Sequence, residues 1–313
     1  MVRAGRAVTC PHRAALATAL LVLLAGCTNS SSPANPTKPR RALDTSAPIE
    51  AMPHLRGTTE QRLLGFLQAR YGDRARLEGA WQDQWEDTEV DAQRPVTREV
   101  CAREPVHRDG RARTLLAVCQ RLEDAASVEP GRIDLYALQV GEDARVPKDT
   151  SGLEQLMALE VPFRIIAQRL QSQYGQWGAP GTVGIVGLGP QRDAFIITHP
   201  WARRGATRIT RSYVAMHGDY LREVASYRDH LDNDRRQDCD AERSGCEDAR
   251  YNIDFSTQLG SDEAVDGFWP LIVRGTGQDC AGPFQEYHRL IFDPTLRAYA
   301  VPDSLQREGC GTP

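Results

Sequence analysis

From Val96 onward, hydrophobic residues are concentrated in short segments of the length of β-strands, and the segment 115–119 is apolar on both faces, as in a covered central strand. Short runs of glycine, proline, aspartate and serine separate these segments at regular spacing from Val96 onward. The pattern predicts strands at 96–103, 111–122, 133–140, 182–188, 194–198, 207–216, 220–227, 251–257, 268–273, 286–292 and 297–301. We therefore expect a mainly β (α+β) fold, with antiparallel sheets built from consecutive hairpins.

One segment before these strands carries the signals of a helix. Thr58 and Gln61 have the spacing of a capping box, and Gly72 is a natural C-terminal stop. Between them, one helical face is lined by Leu63, Leu64, Leu67 and Tyr71. Two further segments are ambiguous. Residues 77–85 fit a helix or a strand, and 153–174 favours a strand because Pro162 interrupts a continuous helix.

The cysteines constrain the first predicted hairpin, which turns at Asp109-Gly110. A two-residue turn there pairs residues whose numbers sum to 219, which would put Cys101 and Cys119 on opposite faces. A three-residue loop would put both on one face, within reach of a disulfide. We therefore expect the longer loop, with Gly110 in the left-handed conformation.

The other cysteines indicate an oxidising compartment. Apart from Cys10 and Cys27 the cysteines form an even set, which is typical of a disulfide framework. No CxxC pair supports a zinc ribbon or a thioredoxin-like centre. Hairpin parity, short separation and elimination predict three disulfides, namely Cys101–Cys119, Cys239–Cys246 and Cys280–Cys310.

The N-terminus has the order of a secretory signal peptide. Arg3, Arg6 and Arg13 precede an apolar run at 14–25 that is too short for a transmembrane helix. The run ends in Leu24-Ala25-Gly26-Cys27, which resembles the lipobox of bacterial lipoproteins. This resemblance implies cleavage before Cys27 and attachment of two or three acyl chains there. Thr28, rather than an aspartate, follows the cysteine, a pattern similar to that of outer-membrane lipoproteins whose domains lie in the periplasm.

These features divide the chain into three parts. Residues 1–26 are predicted to be the signal peptide, and 27–56 a flexible Ser/Pro-rich tether. Residues 57–313 form a single globular domain, in which the polar stretch 141–152 is where a lobe boundary would fall. The mature domain carries no motif that assigns it to a family.

The charge of the chain gives no reason to expect nucleic acid as a partner. The whole chain has 38 basic and 42 acidic residues, and removal of the signal peptide leaves 35 basic residues and a net charge of −7. Such a mildly acidic surface repels phosphate backbones. The expected partners are the membrane, through the lipid, and a protein or another envelope component.

No established catalytic motif stands out in the sequence. Neither HExxH nor GxSxG occurs, so we predict no catalytic residues and no cofactor. His217 with Asp219, and His230 with Asp232, could form dyads, as many surface pairs could. The glycine-rich run 181–189 resembles a phosphate-binding loop only superficially, because Pro190 follows it, and we interpret it as a closely packed strand.

An acidic segment and two tryptophans provide the remaining candidates. Calcium could be bound by Asp238, Asp240 and Glu242, although nearby arginines favour a salt-bridged loop. A partner could be bound by Trp201 with Arg203 and Arg204, and Trp177 lies in a similar glycine-flanked loop. The alternative is that Trp201 is buried at the end of the hydrophobic core. We expect a binding, assembly or inhibitor module rather than an enzyme; the alternative is an envelope hydrolase with a site assembled from distant residues.

Overall fold

The structure, a computed structural model, describes residues 50–52, 54–87, 91–108, 111–140, 163–203, 205–233, 250–261 and 263–309. All of them belong to one compact unit. The elements are β1 (Glu50–Met52), α1 (Thr59–Tyr71), β2 (Trp81–Asp87), β3 (Ala92–Arg108), β4 (Arg111–Leu122), β5 (Gly131–Gln139), β6 (Phe163–Tyr174), β7 (Thr182–Gly189), β8 (Arg192–Arg203), β9 (Ala206–His217), β10 (Tyr220–Asp232), β11 (Asn252–Leu259), β12 (Leu271–Asp279), β13 (Gly282–Leu290), β14 (Phe292–Asp293) and β15 (Ala298–Tyr299), followed by a short 3₁₀ helix at Asp303–Gln306.

The strands form two large antiparallel sheets and one small one, which confirms the predicted fold class. The first sheet has six strands in the order β1-β6-β5-β4-β3-β2, and the second has seven in the order β13-β12-β11-β10-β9-β8-β7. The pair β14-β15 is separate. Within the large sheets, each described strand except β1 pairs with a strand next to it in the order of the described elements. Short turns join some of these pairs directly, such as β7–β8 and β9–β10. β1 lies in the segment predicted to be a tether and pairs with β6.

The helix begins and ends as its sequence predicts. The Thr58 side chain accepts a hydrogen bond from the Gln61 backbone, and the Gln61 side chain accepts one from the Thr58 backbone. This reciprocal cap satisfies two amides that the helix leaves without partners. The helix ends at Gly72, whose φ of 84° is accessible to glycine. Its buried face, centred on Phe66 and Leu67, packs on the first sheet.

Three apolar clusters hold the layers together. Phe66 of the helix stacks on Phe163 of the first sheet, with ring centroids 5.4 Å apart. The opposite face of that sheet packs against the second sheet through residues such as Leu115, Ile133, Phe195 and Val214. The far face of the second sheet is covered by the C-terminal segment, where the rings of Phe268 and Phe292 stack at 4.2 Å. The domain therefore has a helix–sheet–sheet order with a C-terminal cover.

The disulfide Cys101–Cys119 is present, with a Cα–Cα distance of 5.7 Å, but the predicted three-residue loop is wrong. Arg108 pairs with Arg111, which is the register of a two-residue turn. A β-bulge between Val100 and Ala102 shifts the register by one residue at Cys101. The extra residue on β3 turns Cys101 toward Cys119. The bulge, rather than a longer loop, therefore places the two cysteines on one face of the hairpin.

Several predicted elements change in detail. The ambiguous segments resolve as β2 and β6, both strands. The strand predicted at 268–273 begins only after Pro270. Pro270 in this segment favours an edge strand or a bulge, but β12 is central, since it pairs with β11 and β13. Pro270 itself precedes the ladder and removes no hydrogen bond from it.

Some predictions fall outside the described residues. These are the signal peptide 1–26, most of the tether, the lobe boundary 141–152, the calcium candidates Asp238, Asp240 and Glu242, and Cys27, Arg204, Cys239, Cys246 and Cys310. Cys280 is disulfide-bonded. Within the described ranges, no helix is long and apolar enough to cross a bilayer.

Candidate functional site

Trp201 lies near the end of β8 rather than in a loop. It pairs with Arg208 on β9, whose guanidinium carbon lies 3.8 Å from the centre of the indole ring. Arg208 also forms an ion pair with Glu308. Trp201 is half-buried and Arg203 is exposed. Trp201 therefore neither fills the hydrophobic core nor presents a free ring to a partner, because the Arg208 guanidinium already stacks on the indole.

The loop at 175–181, which we call the Trp177 loop, connects β6 of the first sheet to β7 of the second. The Gly178 amide donates to the Glu129 carbonyl at 2.8 Å, and its carbonyl accepts from the Leu122 amide at 3.0 Å. On the other side, the Gln176 side chain accepts from the Ala202 amide at 2.9 Å. The loop is thus hydrogen-bonded to both sheets, and it contacts the strand end that carries Trp201.

Glycines make this docking possible. Gly178 has a φ of 68°, and a Cβ there would lie 2.4 Å from the Leu122 carbonyl oxygen. A Cβ on Gly175, which has a φ of 71°, would lie 2.1 Å from the Ala179 carbonyl oxygen. Only glycine allows such an approach at these angles. Trp177 itself has a φ of 50°, an uncommon value for an aromatic residue.

The result is an exposed tryptophan on a fixed backbone. Trp177 is 55% exposed, whereas Trp81 on the helix side of the first sheet is buried. A large aromatic side chain in water gives up little conformational entropy on binding when its backbone is already ordered. Of the two tryptophans, Trp177 is therefore the better candidate for a binding surface, because it is 55% exposed whereas Trp201 is half-buried.

A polar cluster lies between the two sheets, next to the start of the Trp177 loop. The Tyr174 hydroxyl donates to the Glu223 carboxylate at 3.2 Å, and Ser212 also hydrogen-bonds to Glu223. Burial raises the pKa of the Glu223 carboxyl, while the nearby Arg169 opposes this shift. Tyr174 is 6% exposed and Ser212 is 1% exposed, whereas Glu223 is half-buried.

His199 borders the same cluster. Its ring centroid lies 5.3 Å from that of Tyr174. Burial, helped by the positive charge of Arg228, lowers the pKa of His199 to about 4. The imidazole is therefore neutral at pH 7.

A second polar cluster lies between α1 and the first sheet. The Tyr71 hydroxyl donates to Asp134 at 2.9 Å and lies 2.7 Å from the Tyr136 hydroxyl. Burial, followed by the charge of Asp134, raises the pKa of both tyrosines, which stay protonated. Arg98 donates to Asp83 at 2.7 Å and lies 4.9 Å from the Tyr71 ring centre.

The suggested histidine dyads form with other partners. His217 contacts Asp266 at 2.8 Å rather than Asp219, and His230 contacts Asp254 at 2.7 Å, with Asp232 at 4.0 Å. The glycine-rich run forms β7, as predicted. Where the structure describes the chain, no three potential ligands group around a metal position.

No protein-family model, curated protein or solved structure matches this chain.

The sequence predicts partner binding at Trp201, Arg203 and Arg204 and marks Trp177 as a similar loop residue, but it does not reveal either polar cluster. The glycines on either side of Trp177 were the visible signal of a constrained loop. Tyr174, His199 and Glu223 are brought together only by the packing of one sheet on the other, and no local pattern marks that contact.

Proposed function

We propose that this chain is a lipid-anchored envelope lipoprotein that binds a partner and holds it near the outer membrane. The lipobox-like Leu24-Ala25-Gly26-Cys27 supports the anchor, and the Ser/Pro-rich segment after it supports a tether. The disulfide Cys101–Cys119 is consistent with an oxidising compartment such as the periplasm. Within this role the domain is an assembly, scavenging or inhibitor module.

The exposed Trp177 on its docked loop is the observation that supports binding. Tryptophan is enriched among the residues that contribute most to protein interfaces. A loop joined to both sheets and shaped by glycines presents that side chain in one position, which lowers the entropy cost of association. We infer that Trp177, with the adjacent Ala202 and Arg203, contacts a protein partner.

A hydrolase is less well supported. The raised pKa of Glu223 and the lowered pKa of His199 are the kind of pairing that an acid–base site uses. However, Tyr174 and Ser212, the hydroxyls that contact Glu223, are buried. Because these hydroxyls are buried and hydrogen-bonded within the domain, we interpret the cluster as structural.

The binding role is tested by replacing Trp177 and a matched exposed aromatic residue. Tyr287 on β13 is 58% exposed, compared with 55% for Trp177. Full-length protein is crosslinked in intact envelopes, purified, and its adducts are compared between variants. We expect Trp177→Ala to lose a specific adduct, with a loss of about 2 kcal/mol or more in affinity. Tyr287→Ala should keep that adduct.

Equal folding of the two variants is checked by their melting temperatures. If Trp177→Ala and Tyr287→Ala keep the same adducts as the wild type, Trp177 does not contact the partner and the proposal fails.

A further inference from the structure

The strand β13 forms one edge of the second sheet, opposite to the edge formed by β7. Among the described residues it pairs only with β12, so the backbone groups along its other side have no partner strand. β3 contacts β7 and β6 contacts β10, which places the overlap of the two large sheets between β7 and β10. β13 lies three strands beyond β10, outside this overlap. Its outer edge can therefore accept another strand without displacing the first sheet.

Large apolar side chains are exposed along this edge and directly after it. Tyr287 is 58% exposed, although the Arg274 guanidinium carbon lies 6.0 Å from the centre of its ring. Ile291, which follows the strand, is 45% exposed. An edge strand that carries exposed apolar side chains is a template for pairing with another chain. The edge thus presents both the backbone hydrogen-bonding groups and the apolar surface that strand addition uses.

The sequence of β13 is complementary to a second copy of itself. In an antiparallel strand pair with a two-fold axis, the central residue lies opposite its own copy, and the residues on its two sides lie opposite each other. With Tyr287 at the axis, the cross-strand pairs join an acid to an imidazole, an amide to a guanidinium, and an aromatic to an aliphatic side chain. These pairs are Glu286–His288, Gln285–Arg289 and Phe284–Leu290. Aromatic pairs and pairs of opposite charge are the cross-strand contacts that stabilise a sheet.

The neighbouring registers lack this complementarity. With the axis at Glu286, two copies of its carboxylate would lie directly opposite each other, which destabilises a strand pair. With the axis at His288, two imidazoles would meet, and Glu286 would lie opposite the apolar Leu290. Glu286 and His288 already lie 2.9 Å apart within one copy. In the register centred on Tyr287, each carboxylate would therefore have an imidazole beside it and another across the strand pair.

We propose that β13 is a self-association edge, through which two copies of this chain form a two-fold dimer centred on Tyr287. The pairing joins the seven-stranded sheets of the two copies into one continuous sheet. A pair of nine-residue strands buries less surface than the roughly 1,600 Å² of a standard stable interface, so the dimer is weak. We expect its Kd to be on the order of 10–100 μM.

Disulfide crosslinking tests the register in full-length protein, at a detergent concentration that leaves most micelles with one copy. Directly opposite residues in an antiparallel pair have Cα atoms about 4.5–5.5 Å apart, which a disulfide can span. Tyr287→Cys should therefore form a covalent dimer under mild oxidation. Gln285→Cys and Arg289→Cys should crosslink only when the two variants are mixed. The matched control is Trp177→Cys, since Trp177 is 55% exposed, and it should stay monomeric.

A charge exchange tests the same pairing without added cysteines. His288→Glu places two carboxylates opposite each other on both sides of the axis and should raise the dimer Kd about tenfold or more. Glu286→His/His288→Glu exchanges the two groups and should restore association to the wild-type level. Sedimentation equilibrium of the full chain in a density-matched detergent gives the Kd. Melting temperatures show whether each variant is folded.

Three results would overturn the proposal. They are a wild type that stays monomeric up to about 100 μM, Gln285→Cys alone crosslinking as readily as Tyr287→Cys, and an exchanged variant that associates no better than His288→Glu. A crosslinked pair of copies has twice the mass of the chain, which distinguishes it from the partner adduct expected at Trp177. A monomeric wild type would leave the Trp177 interface untouched, so the two proposals fail separately.

Discussion

Burial acts in opposite directions on the pKa values of Glu223 and His199, because their charged forms carry opposite charges. The pKa of Glu223 is raised and that of His199 is lowered to about 4, so both groups favour their neutral forms. Neutral groups lie between the sheets at a smaller desolvation cost than ions. The cluster therefore makes stability depend on pH at both residues.

The lowered pKa of His199 determines how the free energy of unfolding changes with pH. Its contribution to stability is complete above the unfolded pKa of about 6.5 and is lost as the pH falls toward about 4. The full loss amounts to roughly 3 kcal/mol, since one pKa unit corresponds to about 1.4 kcal/mol. We expect His199→Gln to lose clearly less stability than the wild type between pH 7 and pH 4.

Urea unfolding at pH 7, 5.5 and 4 measures this difference. The exposed His54, outside the cluster, provides the control variant His54→Gln. If the wild type and His199→Gln lose the same free energy of unfolding between pH 7 and pH 4, the pKa of His199 is not lowered as its burial implies.

At the scale of elements, local signals predicted most of what the structure contains. The Thr58–Gln61 cap, the Gly72 stop and the succession of hairpins follow from short-range sequence chemistry. The bulge at Cys101 has no such signal, because it is visible only when two strands are paired. The strands predicted at 268–273 and 286–292 overlap β12 and β13, but the residues on either side of their turn were not predicted as strand. Gly275 and Gly277 interrupt the apolar pattern of β12 there, although this strand is central.

The candidate functional residues likewise differ in whether the local sequence or only the tertiary structure reveals them. Trp177 and its glycines are contiguous in the chain, and so they were visible. The second polar cluster at Tyr71 depends on how α1 lies against the first sheet, which is a tertiary contact. The distance from Arg98 to Asp83 likewise depends on strand register.

The Trp177 loop provides a prediction at this scale, with a control of matched backbone geometry. Gly178 and Gly218 have φ values of 68° and 63°, but a Cβ meets the Leu122 carbonyl oxygen at 2.4 Å only at Gly178. At Gly218 it meets nothing within 4 Å. We expect Gly218→Ala to cost about 1 kcal/mol of unfolding free energy, and Gly178→Ala about 3 kcal/mol.

Denaturant titrations at pH 7 give both values. Equal losses in the two variants would mean that the loop is not docked against Leu122, and the fixed presentation of Trp177 would lose its basis.

At the scale of the whole molecule, the proposed anchor determines where the domain works. One acyl chain binds a membrane only marginally, while two or more hold a protein there stably. We therefore expect Cys27→Ser to leave the membrane fraction or to accumulate as unprocessed precursor. Fractionation and mass spectrometry of the mature N-terminus distinguish these results. Normal processing and membrane retention of the variant would contradict the anchor.

The strand order of the two sheets also bears on how the chain acquires its structure during synthesis or export. Among the described strands, β3 to β6 and β8 to β13 each pair with the described strand that precedes them in the chain. Each can join the growing sheet as it emerges from a ribosome or a translocation channel, once its partner is in place. β1 is different, because its partner is β6. The first described strand of this sheet to emerge is therefore the last to dock.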